Sequence, residues 1–182
     1  MNHNKGKYII SYKTYMLQPQ KDGFQFDTKV IERDNTFIVP SKPLAIVSRS
    51  CEFYGSSYQI LQNSSKLFLG NVHKVPILIA HAHSVGTPVI FLPTLSPHSE
   101  QNVWISYQAI SNIVADDLGC TVHLENGVKV KLNVSATTLY RQYTFAGLLE
   151  RDFFKKQKDL NRSAHLFPEY NPFTFLPSQN RH

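Results

Sequence analysis

The chain has 182 residues, the length of one ordinary domain, and is 42% hydrophobic and 18% charged, so it can build a core and lacks the composition of a disordered polypeptide. Its 19 Lys and Arg against 13 Asp and Glu give a net charge of +6, a surplus that favours a polyanionic partner: nucleic acid, an acidic protein or an anionic lipid surface. No run of about 18 apolar residues argues for a spanning helix, the start from Met1 to Lys13 is too polar for a secretory leader, and Cys51 and Cys120 alone supply neither a disulfide framework nor a four-thiolate zinc site. The expectation is a soluble protein of a reducing, cytoplasmic compartment, with no membrane partner.

Tyr8 to Leu17 is rich in β-branched and aromatic residues and places Tyr8, Ile10 and Tyr12 on one parity, which predicts a strand. Lys21-Asp22-Gly23 reads as a turn. Short strands follow over Lys29 to Glu32 and Thr36 to Val39, around the polar corner Arg33-Asp34-Asn35. Ser41 has the chemistry of a helix N-cap, with Pro43 in the first turn, where its missing N–H costs little. Leu44, Val47, Cys51 and Tyr54 then share a helical face, and Gly55 ends the helix. Ser56 or Ser57 can cap a second short helix through Gln62.

Between Val75 and Ala115 the only charged side chains besides histidine are on Glu100. Ile77 to Ala80 and Val89 to Leu92 read as buried strands, Gly86-Thr87-Pro88 as the turn between them, and Val103, Ile105 and Tyr107 alternate as in a half-buried strand. Such a stretch suits the middle of a sheet, or else a self-association surface. Asp116-Asp117 before Gly119 reads as a turn. Cys120 to Leu124, Glu125-Asn126-Gly127 and Val128 to Val134 form a hairpin signal, because Asn-Gly tolerates the positive φ of a tight turn. It sets Val128, Val130, Leu132 and Val134 on one face and Lys129, Lys131 and Asn133 on the other. Ser135 can cap a long helix from Ala136 to about Lys158, with Leu139, Tyr143, Ala146, Leu149 and Phe153 as its apolar stripe. The predicted architecture is a single α+β domain over residues 1–160, largely antiparallel sheet with two or three helices. Residues 161–182, with Pro168, Pro172 and Pro177, form a tail.

Catalytic chemistry finds little support. Cys51 lies on the apolar stripe of a helix, away from the N-terminus that would acidify it, and reads as structural. His81 and His83 share a strand face, with His73 and His98 nearby in sequence, but lack the carboxylates or thiols that complete a metal site. No glycine-rich phosphate loop or paired carboxylates appear, so neither a cofactor nor an enzyme is expected. Arg49, Lys66, Lys74, Lys129, Lys131 and Arg141 are scattered among Tyr54, Tyr58, Trp104, Tyr107 and Tyr140, without helix-turn-helix, finger or basic-zipper spacing. Composition and spacing alone therefore support a basic α+β domain and no more.

One stretch is far more specific. Arg49-Ser50-Cys51-Glu52-Phe53-Tyr54-Gly55-Ser56-Ser57-Tyr58 closely resembles the signature of the ComK competence transcription factors of Gram-positive bacteria. His73-Lys74-Val75-Pro76-Ile77, Phe91-Leu92-Pro93-Thr94-Leu95-Ser96 and Val103-Trp104-Ile105-Ser106 are similar to further segments of that family, in the expected order. The resemblance implies an activator of DNA-uptake genes that binds paired A·T-rich boxes through the minor groove as a dimer or higher oligomer, and that an adaptor delivers to a Clp-type protease. It implies a cytoplasmic, nucleoid-associated protein.

The narrow, negative minor groove of A·T tracts attracts a few Arg or Lys side chains and needs no groove-filling helix. On that reading Arg49 and Lys74 face DNA, with Ser56, Ser57 and Tyr58 near the backbone, while Trp104, Phe53 and Phe91 belong to the core or a dimer interface. Leu166-Phe167-Pro168 is faintly similar to the adaptor-binding segment. The chain departs from the family where Ile60, Leu61 and Gln62 replace Gly-Arg-Lys and Val75 replaces a proline. These changes identify a divergent member and leave a second reading open: a regulatory protein that forms mixed oligomers with a DNA-binding homologue.

Overall fold

Two separated parts of the chain combine into one sheet. The computed structural model describes residues 7–22, 25–70, 72–82 and 86–166. β1 (Thr14–Asp22) pairs with β2 (Gln25–Glu32), and β2 pairs with β3 (Thr36–Val39) beyond the Arg33–Asn35 corner. The free edge of β1 takes β6 (Trp104–Ser106), which is followed by β5 (Thr87–Pro93) and β4 (Ile77–Ala82). The order is β3-β2-β1-β6-β5-β4, every ladder antiparallel. A second antiparallel sheet contains β7 (Ile110–Asp116), β8 (Gly119–Leu124) and β9 (Lys129–Leu132). The helices are α1 (Pro43–Phe53), α2 (Tyr58–Leu69) and α3 (Ala136–Leu166). The α+β class holds.

The large sheet has apolar groups on both faces. On one, Leu17, Val30, Ile77, Phe91 and Trp104 join Ile46, Val47 and Cys51 of α1 in one core. On the other, Met16, Ile31, Ile90, Leu92 and Ile105 meet the inner face of the small sheet and Leu139, Ala146 and Leu149 of α3. Fully burying each such aliphatic side chain contributes roughly 1.5–3 kcal/mol. This two-sided cover explains the low charge between Val75 and Ala115. It also corrects the alternation read into Val103, Ile105 and Tyr107: Trp104 and Ser106 are buried too, and Tyr107 opens a 3-10 turn, Tyr107–Ala109.

Other local expectations shift for identifiable reasons. Residues 8–11 precede the first strand and lie across α1 instead: Ile10 is buried, its N–H donates to Ser50 Oγ (2.9 Å) and its carbonyl accepts from the Tyr54 hydroxyl (2.9 Å). Lys42, not Ser41, occupies the N-cap of α1, because Ser41 is held by the preceding sheet: its N–H bonds to the Val39 carbonyl and its own carbonyl accepts from the Thr28 hydroxyl. The buried face of α1 is Ile46, Val47, Ser50 and Cys51, so Leu44 is only half-buried and Tyr54 is exposed. Strand β7 has no clean alternation, since a bulge between Ile110 and Asn112 interrupts its period.

The hairpin and caps at the far end hold as read. Gly127 has φ +83°, and a Cβ on Gly119 would collide with the Leu132 carbonyl. Ser135 Oγ accepts from the Thr138 N–H at 3.2 Å. α3 runs to Leu166, past the expected end near Lys158. The chain divides after Glu150 into two compact units; the described part of the second is helical and carries the Lys156–Asp152 pair at 2.6 Å.

Candidate nucleic-acid interface

The stretch Arg49–Tyr58 forms the end of α1, a turn and the start of α2. The turn is forced by Gly55 at φ +85°, and the Ser56 N–H closes the last turn of α1 on the Cys51 carbonyl at 3.0 Å. Ser57 caps α2, its Oγ accepting from the Ile60 N–H at 3.3 Å. Tyr58 is half-buried, its ring edge-on to Trp104 with centroids 6.1 Å apart and its hydroxyl accepting from Gln62 Nε2 at 2.9 Å. Burial raises the Tyr58 phenol to about 12. Arg49 is half-buried and not without a partner. Ser56 is half-buried beside the turn.

Lys74 joins the large sheet to α3. Its ammonium donates to the Thr94 carbonyl at 3.3 Å, and its own carbonyl accepts from Gln142 Nε2 at 3.1 Å. Thus Ser56, Ser57 and Tyr58 follow the Gly55 turn directly and Arg49 lies in the second half of α1 before it, whereas Lys74 is tied to the loop after β5. Trp104 and Phe91 are core residues; Phe53 is 67% exposed. Leu61 packs partly against the α1 core and Ile60 is exposed, so one of the residues replacing Gly-Arg-Lys has become a packing residue.

Cys51 is buried, and that burial pushes its thiol up to about 11, leaving almost no thiolate at neutral pH. Burial also raises Cys120. The His81 side chain, His83, Phe167 and Pro168 lie outside the described residues. Among the described residues no three His, Cys, Asp or Glu side chains are placed to hold a metal ion, and no helix is long and apolar enough to cross a membrane. A cavity of about 210 Å³ between the β1–β2 hairpin and the start of α1 is lined by Asp27, Asn102 and Trp104, with Lys42 and Glu100 paired at 3.9 Å.

Several residues that organise this region carry no sequence signal. Ser50 is buried, accepts from the Ile10 N–H and donates to the Ile46 carbonyl at 2.7 Å. Gln142 sits on the apolar side of α3 and is 2% exposed. Asn126 does more than turn the hairpin: its Nδ2 donates to the Glu32 and Arg33 carbonyls at 3.1 and 3.3 Å. The Ile10, Glu32, Arg33 and Lys74 groups that these side chains bind are distant in sequence, which a periodicity reading does not detect.

Residues 5–158 match the family described as ComK protein. The chain is 29% identical over 175 residues to the competence transcription factor of Bacillus subtilis (strain 168), covering 96% of this chain and 86% of that protein. No solved structure matches.

Proposed function

The chain belongs to the ComK family, and from that premise we propose that it is an activator of DNA-uptake genes that binds A·T-rich boxes through the minor groove as an oligomer. The observation that carries this reading is the match across residues 5–158. The net charge of +6 agrees with it, since several moderately basic protomers on one duplex sum their phosphate contacts. Arg49, Ser56, Ser57 and Tyr58 around the α1–α2 turn, with Lys74, form the groove-facing site. An A·T minor groove is narrow enough for an arginine to carry much of the recognition.

A second reading is a regulatory subunit that forms mixed oligomers with a DNA-binding homologue. It is favoured by the exchange of Gly-Arg-Lys for Ile60-Leu61-Gln62 and by exposed Phe53, Ile60 and Leu67 on α1 and α2. Titration of the protein against A·T-box and G·C-box duplexes at several salt concentrations separates the two. The activator prefers the A·T-box duplex and loses affinity as salt rises. Equal affinity for both duplexes, or no binding at low salt, favours the regulatory subunit.

A further inference from the structure

The small sheet has two chemically different faces. Cys120, Val122, Leu124, Val130 and Leu132 are buried. The open face carries two cross-strand rows, Asn112–His123–Lys129 and Val114–Thr121–Lys131, fixed by the β7–β8 and β8–β9 registers. Lys129 and Lys131 are exposed, and neither forms an ion pair among the described residues. Alternate residues on a strand are about 6.6 Å apart, comparable to the separation of neighbouring phosphates along a DNA strand. The acid on this face is Asp116, whose two carboxylate oxygens accept from the Leu118 N–H (3.0 Å) and the Thr121 hydroxyl (3.4 Å).

At the turn end of the ribbon a second basic group is fixed in place. Asn126 binds the Glu32 and Arg33 carbonyls. Arg33 donates to the Tyr15 hydroxyl at 3.4 Å, and its guanidinium and the Lys13 ammonium both lie about 6 Å from the Tyr12 ring centroid. Of the nearby acids, Glu32 accepts from the Tyr8 hydroxyl at 2.7 Å; Asp34 and Glu125 are exposed at the two turns. Lys129 and Lys131, without ion pairs among the described residues on a core-backed sheet, and Arg33, whose acidic neighbour is the exposed Asp34, suit an extended anion, and lysines act there as point charges without base readout.

We propose that the open face of the β8–β9 ribbon, with the Lys13–Arg33 corner that Asn126 holds at its turn, grips the phosphate backbone of duplex DNA. This rests on the DNA-binding reading above, and adds a sequence-independent contact distinct from the α1–α2 turn.

The test is a salt titration of the full chain on A·T-box and G·C-box duplexes. It compares the unaltered protein, Lys129→Gln/Lys131→Gln, the charge-keeping Lys129→Arg/Lys131→Arg, and Lys155→Gln/Lys158→Gln as a charge-matched control on the exposed C-terminal end of α3. Loss of two phosphate contacts is expected to reduce the slope of log K against log salt by about 1.8. Affinity for both duplexes falls by the same factor, the arginine pair restores it, and the control pair and the melting temperature stay unchanged. An unchanged slope in the glutamine pair, an equal loss in the control pair, or an altered A·T preference overturns the ribbon contact while leaving the DNA-binding reading intact. Failure of the unaltered protein to bind either duplex overturns both.

Discussion

At the α1–α2 junction the polar side chains are engaged by the fold. Ser50 bridges Ile10 and Ile46, the Tyr54 hydroxyl holds the Ile10 carbonyl, Ser57 caps α2, and Tyr58 leans on Trp104. On the β8–β9 ribbon the reverse holds: Lys129 and Lys131 project from a finished core without ion-pair partners among the described residues. The segment that carries the family resemblance is therefore in large part a folding element, while cationic surface is displayed elsewhere. Substitution at the junction should register first in stability, and substitution on the ribbon first in the salt dependence of binding.

The largest effect that sharpens this contrast is expected at Ser50. Ser50→Ala leaves the buried Ile10 N–H without an acceptor, a loss of about 1–3 kcal/mol. In a chain of this size each kcal/mol lowers the melting temperature by roughly 2–4 °C. Thermal unfolding should show that fall, with the A·T preference of the surviving protein unchanged. Arg49 is the junction position expected to depart from this contrast, because it is proposed to face the groove; behaviour like that of Ser50 would extend the contrast to it. Arg49→Ala is expected to weaken binding to the A·T-box duplex about tenfold, within the roughly 1–3 kcal/mol of a specific DNA contact, with a smaller fall in melting temperature than Ser50→Ala. Unfolding without a binding defect would assign Arg49 to the fold.

Smaller effects separate two of the three replaced family positions on α2, Leu61 and Gln62. Leu61 packs partly against the α1 core, so Leu61→Arg should lower the melting temperature. Among the described residues Gln62 donates to the Tyr58 hydroxyl on the same helix, so Gln62→Lys should fold normally. If α2 lies against DNA, it should steepen the salt slope by about 0.9. An unchanged slope would place α2 away from the duplex.

Alkaline pH provides the mildest probe. Burial raises the phenols of Tyr58 and Tyr107 to about 12, and it raises Tyr8 as well. The folded state thus holds these protons more tightly than the unfolded chain does. The stability they contribute is complete below pH ~10, the ordinary tyrosine value, and is lost as pH rises above it, through about 12 for Tyr58 and Tyr107. None of these tyrosines lies on the ribbon, so Tyr58→Phe should blunt the alkaline fall in melting temperature, whereas the Lys129→Gln/Lys131→Gln pair should not.

Legibility in the sequence divides along the same line. The hairpin was readable because its information is local: Asn126-Gly127 sets the turn, and the alternation of Val128, Val130 and Leu132 with Lys129 and Lys131 sets the faces. The Gly55 stop and the Ser57 and Ser135 caps are local too. Strand β7 was hidden by its bulge, and the start of β1 by residues 8–11, whose apolar and aromatic pattern serves α1 rather than a strand. The pairing of β1 with β6 joins positions far apart in the chain, and nothing within either segment specifies it. Among the candidate site residues, Arg49, Ser56, Ser57 and Tyr58 were legible through resemblance. The bond from Lys74 to Thr94 and the clasp of Asn126 on the Arg33 corner were not, since each depends on a loop brought close only by the fold.

Amide hydrogen exchange of the full chain, with and without a saturating A·T-rich duplex, tests the division of labour most directly. Slowed exchange is expected in β8 and β9 and around the Gly55 turn, with the buried strands β5 and β6 unchanged. A duplex that slows exchange nowhere, or only outside these two regions, would contradict it.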